Sequence, residues 1–305
     1  MDKLQAMKTF VRVVETGSFS AIARETAATQ SAISKQVAAL ERALGAKLMT
    51  RTTRSLALTE EGERYFEQAR RIVGEIAEAE AGLRHGEEQL TGWLRVAASV
   101  GYGRLKLMPL VQAFLAAHPG VKIDLRLADG FIDLVEQGID IAVRIGELAD
   151  SGLVARRVGS SRRLLLAHRD YLRGLPKGIR APQRPEDLAQ HNCIVYTELA
   201  MRNAWPFTAA AGAAEPLGTP RIVRVEGNLQ TNSSEVIRAG VLSGMGIGYA
   251  PEWLFDDELG RGELQRLLPD WNTPPMPIHL VSPQQRRGSA KARAFADFVG
   301  RKTDA

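Results

Sequence analysis

The chain has little with which to do redox or metal chemistry. Of its 305 residues one is cysteine, Cys193, and five are histidine, scattered without ligand spacing. A single thiol excludes an intramolecular disulfide and any multi-cysteine metal site, and it suits a reducing compartment. No uninterrupted apolar run reaches the ~20 residues of a membrane-spanning helix. A Gly-x-Ser-x-Gly nucleophile elbow and a P-loop are both missing. The glycine-dense stretch Gly244-Met245-Gly246-Ile247-Gly248 lacks the spacing of a dinucleotide-binding turn and reads as close packing at a helix end. The opening residues, MDKLQAMKTFVRVVE, are amphipathic and charged, unlike a secretory signal. These absences lead us to expect a cytoplasmic protein that is not an enzyme and has no cofactor, metal or membrane contact.

What is present is ordinary in amount and unusual in placement. Hydrophobic residues at 45% and charged residues at 25% suit a globular chain with room for two or three domains. The formal net charge is +5, and residues 1–58 alone hold nine cations against four anions. The rest of the chain is balanced, so the whole excess sits on the N-terminal segment. That asymmetry suits a nucleic-acid-binding head on a neutral body.

The basic segment carries SFSAIARETAATQSAISKQVAALER, residues 18–42. Ser18 can cap a first short helix with Phe19, Ile22 and Ala23 on its apolar side. Thr29 can cap a second, where Ile33, Val37 and Leu40 fall at helical spacing. Only Thr26, Ala27 and Ala28 separate them, which makes a helix-turn-helix whose second helix can enter the DNA major groove. Its opposite face carries Gln30, Ser31, Ser34 and Lys35, short polar or cationic side chains suited to base edges and phosphates. An amphipathic hairpin with a merely solvated polar face has the same periodicity; the placement of charge favours DNA. A first helix over residues 2–15 puts Leu4, Met7, Phe10, Val11 and Val14 on one side to close the small core.

Gly45 can end the second helix, and KLMTRTTRSLALT then has the look of a β-wing. Leu48, Leu56 and Leu58 turn inward, and Arg51, Thr52, Thr53 and Arg54 form a cationic tip for phosphates or the minor groove. Thr59 caps a long helix expected to run to about His85. Tyr65, Ala69, Ile72, Ile76, Ala79 and Leu83 form its heptad seam, which fits a dimer contact or packing on its own domain. Residues 86–92 read as a hinge.

From Trp93 strands and helices alternate. Strands are expected over 94–98, 121–127 and 139–145, with a helix after Ser99 and another over 131–137 ended by Gly138. This pattern implies βαβ units of a mostly parallel sheet. A second unit would hold strands at 163–167, 193–196, 222–225 and 246–249 and a helix over 233–242. Residues 278–281 and the helix 290–300 would return to the first unit. Two α/β lobes joined by two crossings leave a cleft, into which the helices beginning near Gly101 and Ser233 would point N–H groups.

GSFSAIARE, TQSAISKQVAALERALGAKLMTRTTR and LALTEEG in the head, with LMPLVQAFLAAHPGVKIDL, GIDIAVRIG and GMGIGYAPEW in the body, carry a resemblance along essentially the whole length. The chain resembles LysR-type transcriptional regulators. The resemblance implies an N-terminal winged helix-turn-helix (1–58), a linker and dimerisation helix (59–88) and an effector-binding domain (89–305). That domain would be α/β and two-lobed, similar to type 2 periplasmic binding proteins, with lobe I over about 91–163 and 272–301 and lobe II over about 164–271. It implies dimers of dimers that bind and bend double-stranded promoter DNA under the control of a small molecule in the cleft. By the same likeness Gln30, Ser31, Ser34 and Lys35, with Arg51, Thr52 and Arg54 of the wing, contact DNA. Ser99, with the following Val100 and Gly101, and Asn232 with Ser233, contact the effector. Met49 departs from the phenylalanine common there, and Thr26-Ala27-Ala28 is less hydrophobic than the usual turn. Arg144, near the end of a cleft-facing strand, suits either an anionic ligand or an inter-lobe salt bridge with a carboxylate such as Asp129 or Asp140. Two other functions are weaker fits to the sequence. An enzyme on the α/β body lacks its motifs, and a solute-binding protein fits neither the basic head nor the opening residues.

Overall fold

The computed structural model describes residues 2–51, 56–81, 90–148, 152–199, 201–284 and 289–303. They divide into two compact units, Met1–Gln89 and Leu90–Ala305. Among the described residues no helix is long and apolar enough to cross a membrane.

The first unit opens with α1 (Lys3–Thr16), α2 (Phe19–Glu25) and α3 (Gln30–Leu44). Each begins on a side chain that accepts an N–H the helix cannot satisfy: Asp2 from Gln5 at 3.1 Å, Ser18 from Ala21 at 3.2 Å, Thr29 from Ala32 at 3.2 Å. The left-handed Gly45, with φ 69°, ends α3 as its C-cap. The turn from α2 into α3 is tighter than glycine-free sequence suggests, because Ala27 takes φ 52°, where a Cβ costs ~1–2 kcal/mol. Phe10, Val11, Val37 and Leu40 form the core, continued by Val13, Ile22 and Ile33. Leu4, Met7 and Val14 are only partly buried, whereas Ala6 and Val13 are buried. The inward arc of α1 is wider than one stripe because it packs against both α3 and α4 (Glu60–Ala81).

The wing strands β1 (Met49–Arg51) and β2 (Leu56–Leu58) pair antiparallel, Met49 opposite Leu58. Glu41, buried near the end of α3, accepts the Leu48 and Met49 N–H groups at 3.0 and 3.2 Å and the Lys47 ammonium at 2.7 Å. Burial alone would raise its carboxyl pKa; these hydrogen bonds outweigh that and hold it below the ordinary 4.5. Thr59 caps α4, accepting the Gly62 N–H at 2.9 Å and donating to the Lys47 carbonyl at 2.6 Å. Gly62 permits this approach, since a Cβ there would lie 1.9 Å from the Leu48 carbonyl oxygen.

The expected seam of α4 serves two purposes. Tyr65 packs at a tilt against Phe10 with ring centroids 5.7 Å apart and Ala69 is fully buried in the head's core, so these two pack on their own chain. Ile72 is 37% exposed, and Ile76 is half-buried. The side chain of Ala79, Leu83, the expected extension to about His85 and residues 86–89 of the expected hinge lie outside the described residues.

The second unit runs β3 (Gly92–Ala98), α5 (Val100–Tyr102), a π turn (Gly103–Leu107), α6 (Met108–Ala117), β4 (Val121–Leu127), β5 (Ile141–Ile145) and β6 (Leu153–His168). Next come α7 (Arg169–Arg173), β7 (Cys193–Tyr196), β8 (Ala204–Ala209), β9 (Pro220–Arg224), β10 (Gln230–Thr231), α8 (Ser234–Leu242) and β11 (Ile247–Pro251). The chain finishes with α9 (Asp256–Gly260), β12 (Leu264–Leu267), β13 (Trp271–Asn272), β14 (Pro275–Pro283) and α10 (Ala290–Thr303). The main sheet has the order β10-β7-β11-β6-β14-β5-β3-β4, with β12 also on β6.

This sheet is mixed rather than mostly parallel. β3 pairs parallel with β4 and β5, and β7 with β10 and β11, as crossover connections require. β6 and β14 run antiparallel to their neighbours because one leads the chain across the domain and the other leads it back. The 16-residue β6 pairs with β14 as far as Arg162 and with β11 from Arg163 onward. Two expectations fail locally. Residues 131–137 are not a helix: Asp133 accepts the Val135 and Glu136 N–H groups at 2.9 and 3.0 Å and Gly138 closes a single turn, too short to propagate. The strand expected at 222–225 is β9, which sits outside the main sheet in a small one ordered β13-β8-β9. β8 has no clear strand signature in the sequence because Pro206 interrupts it, although Trp205, Phe207 and Ala209 all point inward.

Candidate functional site

Two places carry functional chemistry. In the head, the Thr29 cap turns the first residues of α3 outward: Gln30, Ser31 and Lys35 are exposed and Ser34 is half-buried, opposite the buried Ile33, Val37 and Leu40. The hydroxyls of Thr29 and Ser31 lie 3.0 Å apart. Arg12 of α1 ties α2 to its own helix, pairing with Glu25 of α2 at 2.8 Å and with Glu15 of α1 at 2.9 Å. This leaves a helix N-terminus with short polar side chains and a lysine at the surface, a geometry able to enter a groove. The side chain of Arg51, and Thr52 and Arg54 altogether, lie outside the described residues.

In the second unit a cavity of about 310 Å³ opens between the ends of β3, β4 and β5 on one side and α8, β7 and β11 on the other. Of the residues expected there, Ser99 and Arg144 line it; Val100, Gly101, Asn232 and Ser233 do not. Asn232 is exposed. Gly101 is buried, with room for a Cβ only 3.0 Å from a Leu254 methyl and 3.1 Å from the Ser234 hydroxyl. Ser99 and Ser233 precede their helices, yet neither side chain makes a capping hydrogen bond.

Asp129 does that work for both helices. Its carboxylate accepts the Val100 N–H at 2.9 Å, the Ser234 N–H at 2.7 Å and the Ser234 hydroxyl at 2.9 Å. The two helix N-termini thus converge on an anion that the protein supplies itself. Arg104–Glu235 at 3.0 Å, Lys106–Asp256 at 2.7 Å and an edge-on Tyr102–Trp253 contact at 5.3 Å tie the same two sides together.

Neither carboxylate suggested for Arg144 pairs with it. Asp129 is engaged as described, and Asp140 accepts the Arg95 N–H at 2.8 Å. Arg144 instead donates to the Ile132 carbonyl at 2.6 Å and lies over the Phe131 ring at 4.6 Å. Burial lowers its pKa. A second guanidinium, Arg163 on β6, also lines the cavity, 5.7 Å from the centre of the Tyr249 ring. Burial lowers its pKa too, and Tyr249 and Tyr196 work against that shift. From the sequence Arg163 reads only as the start of a strand and Tyr196 as the end of one, and no local pattern marks Ser234. A second space of about 320 Å³ lies along the crossover segments, against Ser160, Arg162, Phe207, Trp271 and Thr273, and Arg163 borders it as well. There Arg162 is already paired with Glu252 at 3.0 Å.

A capped helix-turn-helix with a wing, joined to a two-sided α/β domain with a central cavity, defines a ligand-responsive DNA-binding regulator. Residues 4–63 match the family described as bacterial regulatory helix-turn-helix protein, lysR family, and residues 87–304 match the LysR substrate binding domain. The chain belongs to the LysR-type transcriptional regulators, with a DNA-binding helix-turn-helix and an effector-binding domain, a family of regulators rather than enzymes. It is 36% identical over 296 residues to the HTH-type transcriptional regulator CrgA of Neisseria meningitidis serogroup C, spanning 97% of this chain and 95% of that protein. It is 34% identical to the HTH-type transcriptional regulator PtxR of Pseudomonas aeruginosa, over 97% and 91% of the two chains. A solved structure of CrgA from Neisseria meningitidis superposes with a TM-score of 0.62 at 35% identity, covering 99% of both chains.

Proposed function

We propose that the protein works in the cytoplasm as a homo-oligomer, a dimer of dimers, that reads double-stranded promoter DNA through α3. In this reading Gln30, Ser31 and Ser34 meet base edges, and Lys35 meets phosphate together with Arg51, Thr52 and Arg54 of the wing. The observation that carries it is that residues 1–58, which hold the whole +5 charge excess, also turn the polar N-terminal face of α3 outward. Ile72 and Ile76, left over from the head's core, supply the seam between two chains. The division at 58/59 and 88/89, and the lobes 91–163 with 272–301 and 164–271, assign reading, pairing and sensing to successive segments. A small molecule in the cavity, against Ser99 and Arg144, shifts the balance between lobe arrangements and so the spacing of the heads.

Selection of bound sequences from a random duplex library, with a salt titration on the winning sequence, tests this. Wild type should enrich one motif with a steep salt slope. Gln30→Ala should relax one position by roughly 1–3 kcal/mol, and Lys35→Ala should weaken all sequences and lower the salt slope by about one. A Gln30→Ala, Lys35→Ala double variant that binds like wild type would overturn the assignment. Unchanged sedimentation of an Ile72→Asp, Ile76→Asp double variant would remove the seam.

A further inference from the structure

An anionic ligand entering a cleft between two helix N-termini would ordinarily be expected at those N-termini. Here that place is taken. Asp129 fills it with a carboxylate that accepts two backbone N–H groups and a hydroxyl, and a second negative charge beside it would be repelled. The cationic end of the cavity lies elsewhere.

Arg163 sits on β6 at the residue where that strand changes partner, Arg162 opposite Pro275 of β14 and Arg163 opposite Pro251 of β11. Among the described residues its guanidinium has no carboxylate within salt-bridge distance and makes no hydrogen bond; its one close partner is the face of Tyr249. A partly buried cation in that condition has lost solvation without gaining a counter-charge. Arg144 differs, for its guanidinium is held by the Ile132 carbonyl and covered by Phe131. Tyr196, the last residue of β7, faces the same cavity, and among the described residues its hydroxyl has no hydrogen-bond partner either. Burial, with Asp129 and Glu198 nearby, raises its pKa well above the ordinary tyrosine value, so it remains an O–H donor at any physiological pH. Beside these two donors Ala98, Ile237, Ala250 and Trp253 form an apolar strip in a lining that also holds the carboxylates of Asp129 and Glu198. A volume of about 310 Å³ is at the small end for ligand pockets.

We infer that Arg163 and Tyr196 form the anchor for the carboxylate of a small, apolar monocarboxylic acid, whose body lies along the apolar strip and whose charge is matched by the Arg163 guanidinium. The inference rests on the reading of this cavity as the effector site. It adds the chemical class of the effector and its orientation. Asp129 is then a built-in specificity device: it completes the two helix ends and rejects dianions long enough to reach them.

Calorimetry on the full-length protein with benzoate, benzamide, terephthalate, inorganic phosphate and sulfate tests it. Benzoate should bind at least tenfold more tightly than benzamide, and terephthalate, phosphate and sulfate should bind weakly or not at all. Arg163→Met should cost benzoate at least tenfold and leave benzamide unchanged. Tyr196→Phe, which removes one oxygen, should cost benzoate several-fold. Leu199→Trp, which narrows the cavity from a partly exposed wall, should weaken benzoate and benzamide alike. Equal binding of benzoate and benzamide to wild type overturns the anchor without recourse to any variant, as does tighter binding of phosphate or terephthalate. No binding of either aromatic probe at 10 mM (~10 mM being a generous ceiling for so small a ligand) overturns the ligand class. Benzoate binding sensitive to Leu199→Trp but not to Arg163→Met or Tyr196→Phe rejects the anchor and keeps the cavity. Benzoate binding indifferent to all three variants rejects the cavity as the site.

Discussion

The helices of the head and those flanking the cavity solve the same problem in different ways. In the head, α2 and α3 each begin on a residue that caps its own helix, Ser18 and Thr29, three residues from the N–H they accept. Around the cavity, Ser99 and Ser233 stand in the same positions and cap nothing; Asp129, 29 residues from Val100 and 105 from Ser234, takes both N–H groups. A local cap sets where a helix starts whatever its surroundings. A distant cap exists only when the two sides of the domain are together, so it couples the start of both helices to the arrangement of the lobes. The helix starts of the reading face are therefore set locally, and those of the effector domain depend on its joint.

The largest expected effect is at that shared cap. Asp129→Ala removes three charge-assisted hydrogen bonds and should destabilise the effector-domain transition by about 3 kcal/mol, read by thermal or urea unfolding of the full chain, with the head's transition unmoved. Equal loss in both transitions would erase the distinction between the two regions.

Glu41 is where the comparison can break, because it is a non-local carboxylate acceptor inside the head. Glu41→Gln keeps the shape but loses the charge on the Leu48 and Met49 N–H groups, at a cost of about 2 kcal/mol. Since the folded pKa lies below the ordinary 4.5, its contribution is present above that value and fades as the pH falls through the lower folded pKa. Acid unfolding of the head should therefore be less steep in Glu41→Gln than in wild type, measured by circular dichroism from pH 6 down to ~2.

A smaller effect belongs to the local caps. Thr29→Ala should cost about 1 kcal/mol, with Thr29→Ser nearly neutral, in the head's transition alone. The smallest has the opposite sign. Ala27→Gly relieves the left-handed backbone at φ 52° against the greater freedom of glycine in the unfolded chain, for a net gain of no more than ~1 kcal/mol. A loss of stability instead would mean that the Cβ of Ala27 makes contacts that outweigh its strain.

The contrast in capping also explains which parts could be read in advance. Ser18, Thr29, Thr59 and Gly45 act on groups within a few residues, so spacing alone places the starts of α2, α3 and α4 and the end of α3. Several strands of the body can be found from apolar runs such as Cys193–Tyr196, which is β7 residue for residue. Where local pattern and tertiary packing compete, pattern fails: residues 131–137 have helical periodicity but close into one turn over Asp133, and Pro206 hides a strand whose alternate residues are buried.

By itself the sequence determined the capped hairpin, its basic face, the family and the existence of a two-part α/β body, because each depends on neighbours in the chain or on totals of charge and apolarity. Only the tertiary structure decided that Tyr65 and Ala69 belong to the head's core while Ile72 stays accessible, since that turns on how α4 lies against Phe10. It alone decided that Asp129 fills both helix ends, that Arg144 rests on Phe131 and Ile132, and that Arg163 faces the cavity with Tyr196. A charge is identified by its residue, but whether it is spent or available depends on what the fold brings within about 4 Å of it.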